Sequence, residues 1–250
     1  MRRLVLLLAL APRLAFAAPP APAQTDARAL VDSVVAAYGG RAALDRVHAY
    51  RLEGEVFSAM RHEPAPVTRV FSRPDRFKVL IDYADTPEAR LLDHGHGWRN
   101  ARGGTLEPAS GPMLSAMTLQ AARADVPWIL DERAAACRIV PGMERDSVQL
   151  VGLELELGGG LVFRAFVHPR THRVLVSEGA IEQGEMRTHF ETVYSEFRDV
   201  DGIPFAFHEE NWASGQQTGV TEVKTIVLNP KLADDAFQPP APAAGTPQPR

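Results

Sequence analysis

The stretch that decides the fold runs from His48 to Arg99 and reads HAYRLEGEVFSAMRHEPAPVTRVFSRPDRFKVLIDYADTPEARLLDHGHGWR. Apolar and polar side chains alternate from Tyr50 to Val56 and again from Arg76 to Tyr83. Alternation with a period of two is typical of β-strands that have one apolar and one polar face. Proline-containing turns separate the runs, so we predict an antiparallel meander whose apolar face must be covered or filled.

Outside this stretch, helical segments precede the meander and interrupt the β-rich part at mid-chain. The amino-terminal segment carries an apolar stripe at helical spacing and ends at Gly39-Gly40. The predicted segments are Asp26–Tyr38, Arg41–Val47, one that opens at Pro112, and Asp125–Ala136. The strand pattern resumes at Ser147 and continues to Leu228, so we count about nine to eleven strands in the whole chain.

The first 17 residues resemble a secretory signal peptide. Arg2 and Arg3 form a positive start, Leu4–Ala11 is apolar, and Ala15-Phe16-Ala17 fits a cleavage site. The apolar run is too short for a membrane span, which needs about 20 residues. We therefore expect export to the periplasm, a flexible leader over residues 18–25, one domain over residues 26–239, and a disordered Pro/Ala-rich tail over residues 240–250.

Charge and cysteine content narrow the classes of partner and the source of stability. Removal of residues 1–17 takes away three of the 27 basic residues and none of the 31 acidic ones, so the net charge becomes −7. An acidic chain argues against nucleic acid and anionic membrane surfaces as direct partners. The single cysteine, Cys137, rules out an internal disulfide framework, so stability must come from the core.

Several short motifs, taken in their order along the chain, resemble the LolA/LolB-like outer-membrane lipoprotein-carrier superfamily and its uncharacterised periplasmic branch. The resemblance covers roughly residues 26–239. The motifs are Ala37-Tyr38-Gly39-Gly40, the run from Ala43 to Gly54, Arg73-Pro74-Asp75-Arg76, Asp93 to Trp98, Val151-Gly152-Leu153, Phe197 to Pro204, Asn229-Pro230, and Asp234 to Pro239.

This resemblance implies an open, unclosed β-barrel of about eleven antiparallel strands whose concave side is plugged by α-helices. It also implies a non-enzymatic carrier or sensor that takes part in transport and outer-membrane biogenesis. In that family the gap between sheet and helices holds acyl chains, so the implied ligand is a lipid or lipoprotein acyl chain. Burial of apolar groups contributes about 0.8 kcal/mol per CH₂, which makes even partial shelter useful.

The predicted lining of this lipid-binding cavity combines inward-facing strand residues with residues of the mid-chain helices. The two methionines are flexible side chains suited to adaptable apolar contact. The predicted lining residues are Leu52, Val56, Phe77, Val79, Ile81, Met113, Met117, Trp128, Leu153 and Leu155.

Two other functions remain open. The same fold with a filled core would be an interaction module that binds another envelope protein through an edge strand or its helical face. A metal-dependent hydrolase is less favoured: His94 and His96 would point the same way on a strand, but no third ligand is evident.

Catalytic and cofactor motifs are missing from the sequence. It contains no GxSxG, HExxH, P-loop or GxGxxG motif, and no cofactor is predicted. The acidic pairs Glu209-Glu210 and Glu154/Glu156 are predicted to be solvated charges, with the latter pair on the polar face of a strand.

Overall fold

The computed structural model describes residues 22–100, 104–183 and 186–240. Most of these residues form antiparallel strands. The strands are β1 (Ala49–Ser58), β2 (Glu63–Ser72), β3 (Arg76–Ile81), β4 (Glu88–Asp93), β5 (His96–Arg99), β6 (Glu107–Ala109), β7 (Arg138–Val140), β8 (Glu144–Arg145), β9 (Val148–Gln149), β10 (Val151–Gly158), β11 (Leu161–Val167), β12 (Val174–Gln183), β13 (Met186–Val200), β14 (Ile203–Ala213) and β15 (Gln216–Leu228).

Thirteen of these strands form one sheet, in the order β6-β5-β4-β3-β2-β1-β15-β14-β13-β12-β11-β10-β7. Its first and last strands do not pair with each other in the described part of the chain, so the sheet stays open. The open antiparallel half-barrel implied by the resemblance is confirmed. The sheet has thirteen strands where about eleven were expected, and its edge strands β6 and β7 are only three residues long.

The alternation that predicted the meander matches the burial of its side chains. Tyr50 and Leu52 are buried and Arg51 and Glu53 are exposed along β1. Phe77, Val79 and Ile81 are likewise buried along β3, whereas Leu80 is 37% exposed. The buried row faces the concave side of the sheet, where the helices lie, and the exposed row faces away.

Within the described residues, four α-helices and one 3₁₀ helix cover the concave side. They are α1 (Pro22–Ala37), α2 (Arg41–Asp45), α3 (Gly111–Ala124), α4 (Trp128–Glu132) and the 3₁₀ helix Ala134–Ala136. Helix α1 begins within the stretch predicted to be a flexible leader. The mid-chain helices lie where proline and apolar spacing predicted them.

Helix α3 crosses the concave side from one end of the sheet to the other. It packs on β4 and β5 near one edge and on β11 and β12 near the other. The contact is close because two strand glycines leave room for it. A Cβ atom built on Gly97 would lie 2.8 Å from Leu114 Cδ1, and one built on Gly179 would lie 2.6 Å from Leu119 Cδ2.

Two apolar clusters lie on opposite faces of the sheet. The larger joins the concave face to α1–α4. The smaller contains Leu150, Phe166, Val176 and Val193, with Val148 of the β8–β9 hairpin packed against it.

The predicted signal peptide and residues 241–250 of the predicted tail lie outside the described residues. The domain boundaries therefore stay a prediction. Among the described residues, no helix combines the length and the apolar character that a membrane span requires.

Candidate functional site

The predicted lining residues lie between the sheet and its helical cover, but most of them are packed core. Eight of the ten are less than 9% exposed: Leu52, Phe77, Val79, Ile81, Met117, Trp128, Leu153 and Leu155. Val56 is partly buried against the same cluster. Met113 is 38% exposed in the first turn of α3, where it lies against Arg99. Contact of these residues with a lipid stays a prediction.

Trp128 shows how tightly this core is filled. Its ring lies 6.2 Å from the Tyr50 ring and 5.8 Å from the Phe205 ring, centroid to centroid. Its indole N–H donates to the carbonyl oxygen of Leu44 at 3.1 Å. A buried tryptophan that is held on its faces and at its polar edge anchors α4 to α2 and the sheet.

The space that remains between the sheet and α3 is small and partly polar. The larger of two adjoining cavities has a volume of about 40 Å³, and the smaller about 20 Å³. A cavity needs about 10–15 Å³ by this measure to hold one water molecule. The larger cavity therefore has room for a few waters and not for an acyl chain.

A two-point ion pair between Arg69 of β2 and Glu209 of β14 lies at both cavities. Arg69 Nη1 donates to Glu209 Oε1 at 2.9 Å, and Nη2 donates to Oε2 at 2.8 Å. Their side chains are 13% and 8% exposed. Burial lowers the pKa of Arg69, but the charge and hydrogen bonds of Glu209 outweigh this and raise the pKa above its ordinary value.

Two tyrosines fasten the carboxyl end of α3 beside this pair. The Tyr50 hydroxyl donates to the carbonyl oxygen of Ala124 at 2.7 Å, and the Tyr194 hydroxyl donates to that of Arg123 at 2.9 Å. Burial, together with the nearby charge of Glu209, raises the pKa of Tyr194 to about 12. Both hydroxyls therefore stay protonated at neutral pH and satisfy carbonyl groups that a helix end leaves without partners.

Arg123, at the end of α3, faces both cavities. Its guanidinium lies over the Phe190 ring, 5.6 Å from the centroid, and makes no salt bridge with any residue that the structure describes. Burial lowers its pKa. The arrangement thus offers a ligand two chemical surfaces, which are the apolar core under α3 and a polar patch with an uncompensated positive charge.

This polar patch was not predicted from the sequence, although the sequence contains a signal for it. Arg69 follows Ala65 and Val67 in the inward row of β2, and Glu209 follows Phe207 in the inward row of β14. A charged residue within an apolar row is such a signal, because it must find a partner inside.

The prediction that the acidic pairs are solvated is wrong for two of their members. Glu209 is 6% exposed because Arg69 and α3 cover it. Glu154 is 4% exposed, and it is flanked by Arg138 and Arg164 on the two neighbouring strands. Glu154 lies on the predicted polar face of β10, but the side chains of Arg138 and Arg164 shield it from solvent. Their hydrogen bonds outweigh its burial and lower its pKa. Glu156 is exposed, as expected.

The geometry behind the metal hypothesis is also wrong. His94 lies in the β4–β5 turn with a φ of 47°, whereas His96 begins β5, so the two do not share a strand face. His94 Nδ1 lies 2.7 Å from Asp75 Oδ1. Within the described ranges, no group of three or more His, Cys, Asp or Glu side chains is placed to hold a metal ion.

The fold is similar to several solved structures. One is an outer-membrane lipoprotein-sorting protein domain from Vibrio parahaemolyticus, with a TM-score of 0.56, 11% identity, and coverage of 86% of this chain and 97% of that one. A DUF1329 family protein from Desulfovibrio piger has a TM-score of 0.55, 13% identity and coverage of 85% and 97%. A LolA superfamily protein from Nitrosomonas europaea has a TM-score of 0.54, 14% identity and coverage of 87% and 98%.

No protein-family model matches the sequence, and no curated protein matches it either. Identities of 11–14% establish the fold alone. The chain has a LolA-like fold.

Proposed function

We propose that the protein is a non-enzymatic periplasmic carrier that shelters the acyl chain of a lipid or lipoprotein between the sheet and α3. The observation that carries the proposal is the arrangement of the sheet and the helices as two packed layers. Helices pack on the apolar concave face through their side chains, and α3 packs on β4 and β5 near one edge of the sheet and on β11 and β12 near the other. The similarity to a lipoprotein-sorting domain and a LolA superfamily protein supports it.

In this proposal, α3 moves away from the sheet when the ligand enters. The filled core and the cavity of about 40 Å³ then represent the unloaded state. Side chains such as Leu153 and Phe163, which are fully buried under the helices, would exchange helix contacts for acyl contacts. This exchange costs little because one apolar surface replaces another.

A disulfide lock tests the proposal. Leu119 Cγ, close to where a cysteine sulfur would lie, is 3.3 Å from a Cβ built on Gly179. The pair Leu119→Cys and Gly179→Cys, in a Cys137→Ala background, should therefore bond α3 to β12 on oxidation. We expect the reduced protein to take up a fluorescent fatty acid and the oxidised protein to lose this uptake.

Each single-cysteine variant, treated with the same oxidant, is the matched control and should keep its uptake. Equal uptake by the locked and reduced proteins would contradict entry under α3. Native mass spectrometry of the protein purified from a periplasm, followed by organic extraction, would identify a bound lipid class directly.

The small cavity favours one alternative, an interaction module with a permanently filled core that binds another envelope protein. This alternative predicts a protein that purifies empty and takes up no fatty acid in either redox state. A lipid mass in the extract would exclude it.

A further inference from the structure

We propose that the two cavities beside Arg123 form a head-group site for an amphiphile with one negative charge, such as a fatty-acid carboxylate or a phosphodiester. This inference rests on the proposed carrier function and specifies the chemistry of its ligand. The acyl chain would extend from this site into the apolar core under α3.

The charges that line the two cavities do not cancel. Among the described residues around them, two are guanidinium groups, Arg69 and Arg123, and one is a carboxylate, Glu209. Glu209 already shares both of its oxygens with Arg69. The patch therefore carries a net charge of about +1, located at Arg123.

Arg123 is partly buried and has no counter-ion among the described residues, so its charge has lost part of its hydration without compensation by a negative charge. The Phe190 ring compensates only part of that loss. A monoanionic oxyacid would complete the patch, because a guanidinium donates two parallel N–H groups to such a head. Arg69 Nε, which is buried without a hydrogen-bond partner in the described structure, adds a further donor at the same place.

The size and lining of the cavities fit a head group and not a whole lipid. Volumes of about 40 and 20 Å³ accommodate a few non-hydrogen atoms. The larger cavity is also lined by Leu52, Val126 and Phe205, so part of its wall is apolar. An amphiphile combines a polar head and an apolar chain in the same way.

Displacement of the uncharged probe N-phenyl-1-naphthylamine tests the site, because the probe reports occupancy of an apolar cavity without a charge of its own. Dodecanoate and its methyl ester are compared at pH 8, where the acid is ionised. We expect dodecanoate to bind at least tenfold more tightly than its methyl ester, because a hydrogen bond to a charged group contributes about 1.5–3 kcal/mol. Equal affinity would overturn the head-group site and leave the carrier function standing, whereas absence of any probe binding would overturn both.

Arg123→Gln should remove the preference for dodecanoate and leave the affinity for the methyl ester unchanged. Arg145→Gln is the matched control, since Arg145 is a partly buried arginine that pairs with Glu191 and lines neither cavity. The comparison of dodecanoate and its methyl ester on the unaltered protein needs no variant, so it tests the head-group site even if Arg123→Gln fails to fold.

A second pair of probes separates the two sources of the charge. Lysophosphatidylglycerol carries one negative charge and lysophosphatidylcholine has none overall. If lysophosphatidylglycerol is preferred over lysophosphatidylcholine by a larger factor than dodecanoate is over its methyl ester, the site is assigned to a phosphodiester. If the factor for dodecanoate is the larger one, the site is assigned to a carboxylate. A preserved dodecanoate preference in Arg123→Gln would contradict the role of Arg123.

Discussion

Arg69 and Glu209 meet face to face with N–O distances of 2.9 and 2.8 Å, although β1 and β15 lie between their strands in the sheet. Neighbouring strands are about 4.8 Å apart, so β2 and β14 are separated by about 14 Å along a flat sheet. Curvature of the sheet around β1 and β15 would bring side chains on its concave face towards each other, and the two long side chains span the rest of the distance. This pair lies on the concave side, at the cavities beside the end of α3.

Removal of one partner of this pair should destabilise the protein strongly. Glu209→Gln leaves the buried Arg69 uncompensated, and loss of one member of a buried pair costs about 3–5 kcal/mol. Urea unfolding of both proteins measures the difference. The matched control is Glu196→Gln, because the Arg198–Glu196 pair is more than half exposed and such pairs contribute about 0–1 kcal/mol. Equal effects of the two substitutions would contradict burial of the Arg69–Glu209 pair.

Loss of the tyrosine hydroxyls should loosen α3 without disrupting the sheet. Tyr50→Phe and Tyr194→Phe each remove a hydrogen bond to α3 and should cost about 0.5–1.5 kcal/mol. Hydrogen exchange should then become faster in α3 and stay unchanged in β1 and β15. Tyr38→Phe is the control, since the Tyr38 hydroxyl accepts a hydrogen bond from the Val174 N–H of β12 and the structure shows none from it to α3. Unchanged exchange in α3 would show that packing alone holds this helix.

Two glycines in the sheet should respond differently to an added methyl group. A Cβ at Gly179 meets the flexible end of Leu119 at 2.6 Å, whereas one at Gly54 meets the main-chain oxygen of Glu222 at 2.3 Å. Gly179→Ala should therefore cost about 1–3 kcal/mol, the usual range for overpacking. Gly54→Ala should cost more, because the β1–β15 pairing itself must shift. Urea unfolding ranks the two, and the reverse order would contradict the close pairing at Gly54.

Asp125 should make stability depend on pH. It is 3% exposed, and burial raises its pKa well above the ordinary value, with the charge of Arg73 opposing and that of Glu132 reinforcing the shift. A carboxyl group whose pKa is raised by folding stabilises the fold most below its unfolded pKa. That contribution is lost as the pH rises through the folded pKa. Each unit of the shift corresponds to about 1.4 kcal/mol.

Asp125→Asn cannot ionise, so its free energy of unfolding should exceed that of the unaltered protein at pH 8 and approach it at pH 4. The measurement is urea unfolding at several values between these limits. A constant difference across the range would mean that Asp125 is ionised throughout.

The sequence alone predicted the elements that depend on local pattern. Alternation along β1 identified Leu52 as inward-facing, and the proline at residue 112 placed the start of α3 within one residue. The resemblance supplied the architecture, because an open half-barrel cannot be derived from alternation.

The polar patch could not be predicted in the same way. Contact between Arg69 and Glu209 depends on which strands are neighbours and on how far the sheet curves, and neither is encoded in a short window of sequence. Glu154 was misplaced for a related reason. Its burial comes from Arg138 and Arg164, which the sheet brings alongside it.

The pairing of β1 with β15 has a consequence for the order in which the molecule assembles. In the described sheet, this pair alone joins β1–β6 to the remaining strands, and the contact between His48 and Asn229 links positions 181 residues apart. Loop closure of that length is entropically costly and folding dominated by such contacts is slow. The middle of the sheet must wait for the last strand of the chain to emerge. Until β15 has been synthesised, β1–β6 and β7–β14 can pair only within themselves, so the growing chain exposes two unpaired sheet edges, at β1 and at β14.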